Sequence, residues 1–527
     1  MKAEGIEAET PSGRMAHREV LESLSGLLLA LFVAMISSTV VSTALPLIIG
    51  SLNGTQTQYT WVVTATLLTA TATTPIWGKL ADLFNKKTLV QIAIVIFVAG
   101  SMISGFSQNT EQLIAARAFQ GIGIGGLQAL VQVVIAAIIP PRERGRYNGY
   151  LGAVMAVATV GGPLLGGLIV DVPWLGWRWC FFVGVPIAIL AFVVLQRTLK
   201  LRTVRRDDVK VDYLGAGLIA AGVSVLLIWV SFVGNTFDWL SWQSAGMVLA
   251  GVVLLAIAVA VEMRVREPVV PIKIVVQRTP ALAIIASLAV GMAMFGGAVF
   301  LGQYFQVGRG YSPTEAGLLT MPLMAGVLVS STVSGRMISR SGKVKPYLVA
   351  GTLILVFGFL GLGMVDHDTS LVLIGFAMAV VGIGVGMTMQ NLVLAVQNTV
   401  PLRDLGAASA SVTFFRSLGG TIGVSVLGAV LANRVTSDLA TALHVPEGTA
   451  STGSVSALNL KALPPEIQQV VHTVYGDATA HVFLISSAVA VVGVIAALLL
   501  KPITLRTTID LEKKDDTDPV VSDPIVG

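Results

Sequence analysis

Gly121-Ile122-Gly123-Ile124-Gly125 recurs 261 residues later as Gly382-Ile383-Gly384-Val385-Gly386. The same offset aligns Pro140, Arg142, Glu143 and Gly145 with Pro401, Arg403, Asp404 and Gly406. An offset of 257 aligns Gly78-Lys79-Leu80 with Gly335-Arg336-Met337, and Gly162 and Gly166 with Gly419 and Gly423. Glycine-rich helices match by chance fairly often. Four matches in order at nearly one offset describe a duplicated unit. Parallel repeats related by an axis along the membrane normal are one transporter architecture, with the substrate site near the midplane between the halves.

The sequence around these glycines is that of a membrane protein. The chain has 527 residues, 34 Lys+Arg and 29 Asp+Glu, so only 12% are charged, while 54% are hydrophobic. Mean hydropathy is +0.82. Soluble domains carry roughly 25% charged residues, so a soluble enzyme, a disordered protein and a nucleic-acid binder are all disfavoured. A lone cysteine, Cys180, leaves no internal disulfide and no thiolate metal site. A helix crosses a bilayer with ~20 mostly apolar residues. Fourteen such stretches follow one another: 26–49, 60–78, 88–107, 112–139, 148–170, 179–196, 213–234, 244–262, 280–304, 313–335, 346–364, 370–397, 405–432 and 480–500. Each is expected to be helical, because hydrocarbon offers the backbone no other partner.

The expected class is therefore an all-α integral membrane protein of 14 transmembrane helices, with two six-helix pseudo-repeats and two inserted helices. Its expected divisions are a polar tail 1–25, an N-terminal bundle 26–198, a linker with two extra helices 199–278, a C-terminal bundle 279–501 and an acidic tail 502–527. The polar start followed by a long first span does not read as a cleavable signal. Residues 15–25 can form an amphipathic lead-in, and Pro464-Pro465 a separate short helix in the segment 433–479. The tail 501–527 reads as disordered.

Sorting the basic residues orients the chain. With the N-terminus inside, 28 of 34 lie in inner segments, 4 (Arg178, Arg309, Arg434, Lys461) in outer ones, and 2 (Arg117, Arg416) within spans. Both termini are thus expected in the cytoplasm.

Polar groups inside the apolar runs are the candidate functional residues. Arg117 shares a helix face, within about 120°, with Gln120, Gln128 and Gln132. An intramembrane arginine is functional by default, although it can also cap neighbouring helix ends. Span 13 carries Arg416, span 12 Gln390 and Asn391 near Met387, span 9 ends in Gln303 and Gln306, and span 1 holds Ser37 and Ser42. Together they suit a pocket for varied amphipathic molecules; singly, each can be helix–helix glue. The loop Gly78-Lys79-Leu80-Ala81-Asp82-Leu83-Phe84-Asn85-Lys86-Lys87 offers a conformational latch, or only topology charges. Gly149, Gly162, Pro163, Gly166 and Gly167 suit a tightly packed, bent helix. No His, Asp and Glu cluster has catalytic or metal-ligand spacing, so neither an enzyme nor a metal or other cofactor is expected. No phosphate-binding G-x-x-x-x-G-K-[ST] pattern occurs, which disfavours ATP as the energy source.

These residues together resemble the major facilitator superfamily, and in particular its fourteen-span drug:proton antiporter branch (EmrB/QacA type). Gly78, Asp82, Lys86 and Lys87 match the family's motif A, G-x-x-x-D-R-x-G-R-K, while Leu83 and Asn85 depart from it. Leu113, Arg117, Gln120 and Gly121 resemble motif B, associated with proton coupling. Gly149, Gly162, Pro163, Gly166 and Gly167 resemble motif C, the antiporter motif, with Ala158 where a further glycine is usual. Trp177-Arg178-Trp179, Phe182 and Pro186 resemble the start of helix 6. The resemblance covers all but the tails. It implies a multi-pass protein of the cell membrane, bacterial and monomeric, in contact with lipids. Such a protein exports small amphipathic substrates against protons by alternating access, with no nucleic acid or ATP as partner. Multidrug efflux and dedicated export of one solute, such as a lipid, siderophore or host-made antibiotic, both remain open.

One departure matters. The branch's first helix usually carries an L-D-x-T pattern; here Ser37 stands in place of the Asp. None of the 29 acids lies deep in a span: Glu111, Asp171 and Glu315 sit at outer ends, and Glu143, Glu262 and Asp404 at inner ends. A buried carboxylate with a raised pKa is the usual proton carrier. The candidates at this stage are Glu111 or Asp171, with Arg117 competing for the carboxylate across helices. With two arginines and no deep acid, the pocket favours neutral, zwitterionic or anionic amphipaths over permanent cations.

Overall fold

The computed structural model describes residues 17–54, 56–172, 174–199, 212–234, 237–265, 268–401, 404–443 and 464–506. In chain order the helices are α1 (His17–Ser51), α2 (Gln56–Leu83), α3 (Lys86–Gly105), α4 (Thr110–Ile138), α5 (Pro141–Asp171), α6 (Trp179–Phe182) and α7 (Gly184–Thr198). After them come the inserted pair α8 (Tyr213–Phe232) and α9 (Trp242–Glu262), then the short α10 (Ile272–Val275). The second set is α11 (Arg278–Gln303), α12 (Pro313–Leu319), α13 (Met321–Ser341), α14 (Lys345–Leu362), α15 (Leu371–Gln397), α16 (Leu405–Leu443) and α17 (Pro465–Leu499). Thirteen helical segments are long and apolar enough to cross a membrane. Threonine-rich α2, 28 residues with Pro75 inside, falls outside that set and stands where the second of the fourteen expected spans lies.

Packing repeats as the glycines predict. Helix α4 packs on α2 and α3, and α15 on α13 and α14; α1 packs on α5 and α7, and α11 on α16 and α17. The glycine alternation explains these contacts. Side chains at Gly121 and Gly125 would strike the backbone of α2 at Thr66 and Ala70, and one at Gly123 would strike α3 at Phe97. In the second half Gly382 and Gly386 face α13 at Leu323 and Val327, and Gly384 faces α14 at Leu355. Residues four apart share a helix face and those two apart do not. G-x-G-x-G therefore presses one helix against two neighbours, with backbone contact on both.

The two halves meet along two pairs, α2 with α16 and α5 with α13, which exchange under the repeat. We call the end where the Lys- and Arg-rich loops lie the basic end, and the other the far end. The α8–α9 hairpin packs outside the first pair: Ala216, Ile219 and Val223 join Ala72 of α2 and Phe414 of α16 in one apolar cluster.

Three expectations are corrected. The lead-in around 17–25 is the start of α1, not a separate helix. Pro464-Pro465 opens not a short helix but α17 itself, continuous to Leu499, while α16 runs to Leu443. At 1.5 Å per residue, helices of 35 and 39 residues outrun a ~30 Å hydrocarbon core. Polar residues outside the apolar windows, among them Arg434, Asp438, Gln468 and His472, hid this. The first residues of the C-terminal tail are docked: Ile503 and Leu505 are buried, Leu505 N–H donates to Gly342 O at 2.8 Å, and Asn398 holds Thr504 O and Arg506 N–H at 3.0 Å each. Residues 1–16, Arg403, Lys461 and 507–527 lie outside the described residues.

At the far end of the second half, the turn between α14 and α15 is tied to α17. His367 Nδ1 lies 3.1 Å from Asp477 Oδ1 and its Nε2 3.2 Å from Asp368. Arg309, after the π-turn Tyr304–Gly308, donates to His367 O and Thr369 O. The hydrogen bond to Asp477 and the charges of Asp477, Asp368 and Asp366 raise the His367 pKa against some desolvation. A raised histidine pKa stabilises the fold fully below its unfolded value of about 6.5, and that stabilisation is lost as pH rises through the folded value. Thermal unfolding of the purified protein across this window is expected to show the wild type losing melting temperature with rising pH, and His367→Ala losing less. Parallel curves would remove His367 as a pH-dependent tie.

Candidate functional site

The site is the seam between the halves. At the basic end two glycine pairs cross it. A Cβ at Gly78 would strike Ala410 Cβ and lie 2.8 Å from Gly406 O, and one at Gly406 would strike Gly78 O. Gly145 and Gly335 stand in the same reciprocal relation. These four are the residues the repeat aligns: Gly78 with Gly335, and Gly145 with Gly406. The crossing is built twice, once on each side of the pseudo-axis.

Polar groups lock each crossing. Asp82 accepts hydrogen bonds from Gly406 N–H (2.7 Å) and Ala407 N–H (2.8 Å), the free donors at the start of α16. Lys79 and Lys86 act on the same carboxylate. Lys87 donates to Gln196 O at 2.7 Å, within its own half. Asn85, where the motif has glycine, caps α3 by accepting from Lys87 N–H. At the second crossing Arg142 donates to Ser339 O and Arg340 O, 3.3 Å each, and its backbone N–H donates to Arg506 O at 3.1 Å. The tail segment therefore joins α5 of the first half to the α13–α14 turn of the second. Buried Arg144 donates to Ala136 O and Ile139 O and crosses the seam to Gln397 Oε1 at 2.8 Å.

Deeper in the membrane a polar axis continues. Arg117, 3% exposed, donates to Gln120 Oε1 at 2.5 Å, and its Nε has no acceptor among the described residues. Gln120 donates to Ser101 (2.5 Å) and Ser37 (3.4 Å). Ser37, at the position of the missing Asp, thus ends the Arg117 network with a neutral hydroxyl. Gln132 donates across the seam to Gln390 at 2.8 Å, and Gln128 meets Met35 Sδ at 3.9 Å. Asn391 donates to Met387 O, and buried Arg416 to Met389 O at 3.3 Å. Other candidates are not brought to this axis. Ser42 bonds back to Ser38 O within α1. Gln303 accepts from Tyr475 at the far rim, and Gln306 is half-buried in the π-turn. Glu111 is exposed and accepts from Gln58 at 2.8 Å. Asp171 ends α5, and its side chain lies outside the described residues.

The glycines of α5 make that helix the hinge side of the seam. Gly162 and Gly166 press on α1 at Thr39 and Val40, while Gly149 presses on α13 at Thr332. Toward the far end a Cβ at Gly317 would lie 3.1 Å from Pro163 Cβ, and one at Gly167 would lie 3.3 Å from Thr314 Oγ1. Backbone meets backbone between the halves only at the basic end among these contacts.

Arg144, Gln397 and the tail segment escape a reading of the sequence. Arg144 counts there as one more topology charge, and nothing in its spacing separates it from Arg142 or Arg146. For Arg144 the repeat is the one available signal, since it precedes the paired Gly145.

Fold and seam define a helical membrane protein of two repeated bundles that meet along one seam. The sequence profile of the Major Facilitator Superfamily matches residues 27–424, and the chain belongs to that family. The uncharacterized MFS-type transporter Rv1877 of Mycobacterium tuberculosis (strain ATCC 25618 / H37Rv) is 36% identical over 482 residues, covering 91% of this chain and 69% of that one. The multidrug transporter protein MdtP of Bacillus subtilis (strain 168) is 31% identical over 541 residues, covering 97% and 98%. The crystal structure of the human organic anion transporter MFSD10 (TETRAN) shares the fold with a TM-score of 0.59 at 13% identity, covering 89% of this chain and 99% of that one. This protein is accordingly a multi-pass protein of the cell membrane.

Two outcomes follow from the seam. Hydrogen bonds to a charged acceptor contribute about 1.5–3 kcal/mol each, so Asp82→Ala is expected to shift the basic-end equilibrium toward opening by at least tenfold. Cysteine accessibility at the start of α16 reads this, and unchanged labelling would show that Asp82 is not a lock. Truncation after Leu500 is expected to raise hydrogen exchange at the Arg142 amide in the first turn of α5, which donates to Arg506 O; unchanged exchange there would contradict the docking of the tail.

Proposed function

We propose that the protein is a secondary active exporter of amphipathic small molecules, driven by proton antiport and working by alternating access. The basic end faces the cytoplasm in this reading, which the distribution of Lys and Arg supports. The observation that carries this reading is the doubled glycine crossing, closed at one end of the seam and locked by Asp82, Arg142 and Arg144. Packed interfaces are bistable rather than continuously deformable, so the halves part there as rigid bodies.

The printed names of relatives support export: MdtP is a multidrug transporter, and dotC of Dothistroma septosporum, 30% identical over 94% of this chain, is an efflux pump. The polar axis supports the substrate class. Arg117 and Arg416 supply positive charge, Gln132 and Gln390 adaptable hydrogen bonds, and Met35, Met387 and Met389 pliable apolar contact. Neutral, zwitterionic or anionic amphipaths match this lining better than permanent cations do.

Resistance and efflux in an efflux-deficient bacterial host test the proposal, with a panel of cationic, neutral and anionic amphipaths, with and without an uncoupler. The wild type is expected to export neutral or anionic members and to stop on uncoupling. Arg117→Ala is expected to reduce efflux at least tenfold at unchanged membrane expression. Transport confined to lipophilic dications would overturn the substrate class. Equal efflux by Arg117→Ala would remove that residue from the mechanism.

A further inference from the structure

The inserted hairpin carries two acids that the transport path leaves unused. Asp212 caps α8: its Oδ1 accepts from Gly215 N–H at 2.8 Å. Glu262 ends α9: its Oε2 accepts from Val270 N–H at 3.1 Å. The other oxygen of each, Asp212 Oδ2 and Glu262 Oε1, is buried with no hydrogen-bond partner among the described residues. Glu262 is 3% exposed and Asp212 9%.

These two orphan oxygens converge. A Cβ at Gly215 would lie 2.6 Å from Glu262 Oε1 and closer still to Asp212 Oδ2. The oxygens are therefore within about 5 Å of each other, a range in which each buried carboxylate opposes a charge on the other. A single proton resolves the conflict: one carboxyl group becomes a donor, the other stays an acceptor, and the like-charge repulsion is gone. The charged groups facing Glu262 are Asp212 from α8 and Lys79 from α2, and the segment after α9 adds the Val270 amide. Lys79, itself buried, balances the carboxylate that remains.

We propose that the Asp212–Glu262 pair is a proton-binding site at the gate, which takes up a cytoplasmic proton as the basic end of the seam closes and returns it to the cytoplasm as that end opens. The coupling is built into the packing. Lys79 follows Gly78, the residue that crosses onto Gly406. The hairpin rests on Ala72 of α2 and Phe414 of α16, one from each half. Parting α2 from α16 uncovers the pair and lets water in, which hydrates both carboxyl groups. The proton then leaves the carboxyl group for cytoplasmic water, and the carboxylate left behind is hydrated. By linkage, protonation favours the closed basic end to the same extent that closure favours the proton. The proposal rests on the alternating-access reading above: the proton taken up and returned is cytoplasmic, so the pair biases the gate with pH and carries no net proton across the membrane.

Infrared spectroscopy of the protein in lipid nanodiscs, titrated with proton concentration alone, tests the site. The wild type is expected to show a protonated-carboxyl band at neutral pH that Glu262→Gln removes. Asp212→Asn, which deletes the repulsion, is expected to shift the midpoint of the band down by at least one pH unit, a tenfold change in proton affinity. Asp82→Ala, by loosening the seam, is expected to shift it the same way. Absence of the band in the wild type, or its persistence unshifted in both Glu262→Gln and Asp212→Asn, would overturn the proposal. The wild-type spectrum decides even where a variant fails to fold. A band that behaves as expected, in protein whose substrate flux ignores a proton gradient, would uphold the site and contradict antiport instead.

Discussion

Backbone contact between the two halves at four glycines is the constraint on which the rest of the structure depends. Gly78 lies on Gly406 and Gly145 on Gly335, so α2 and α16, and α5 and α13, approach as closely as helices can. No side chain fills the gap, and any added one would hold the halves apart. A contact of this kind is made whole or not at all, which suits a gate better than a hinge of long side chains would. The polar locks depend on it too. Asp82 reaches the α16 donors, and Arg144 reaches Gln397, only because the helices are this close.

Charge is distributed around that seam in a way that assigns separate tasks to separate regions. The arginines sit inside and the acids at the ends. Buried Arg117 is held by neutral partners, Gln120 with Ser37 and Ser101 beyond it, instead of by a carboxylate. Such an arginine is costly in an apolar interior and stays responsive to an anionic group brought beside it. The titratable acids lie against the gate instead, at Asp82 and in the hairpin. Inserted helices α8 and α9 thereby acquire a role: they cover the outer side of one crossing and place two carboxyl groups beside Lys79.

Much of this was legible in the residues alone. The repeat of Gly121–Gly125 at Gly382–Gly386 predicted equivalent neighbours in each half, and α2 with α3 and α13 with α14 are those neighbours. Span count and class followed from the scarcity of charge. What stayed illegible was pairing across the seam. Gly78 and Gly335 align in the repeat, but the sequence does not say that each meets the other pair's partner. Arg144 looks like any loop arginine, and Thr504–Arg506 like any tail, because their partners are backbone carbonyls and amides, which carry no residue signature. Helix ends were missed where apolar windows stop but polar residues continue the helix, as in α16 and α17.

The most direct measurement is a distance across the basic end. In a Cys180→Ser background, spin labels at Thr88 on α3 and Ser341 on α13, both exposed and in different halves, span the closed crossing. Pulsed electron resonance in nanodiscs, with and without a transported amphipath and at proton concentrations on either side of neutrality, reads it. Two discrete distance populations are predicted, the shorter one favoured at low pH and the longer one rising with Asp82→Ala. A single distance under every condition would contradict the gate and the account built on it.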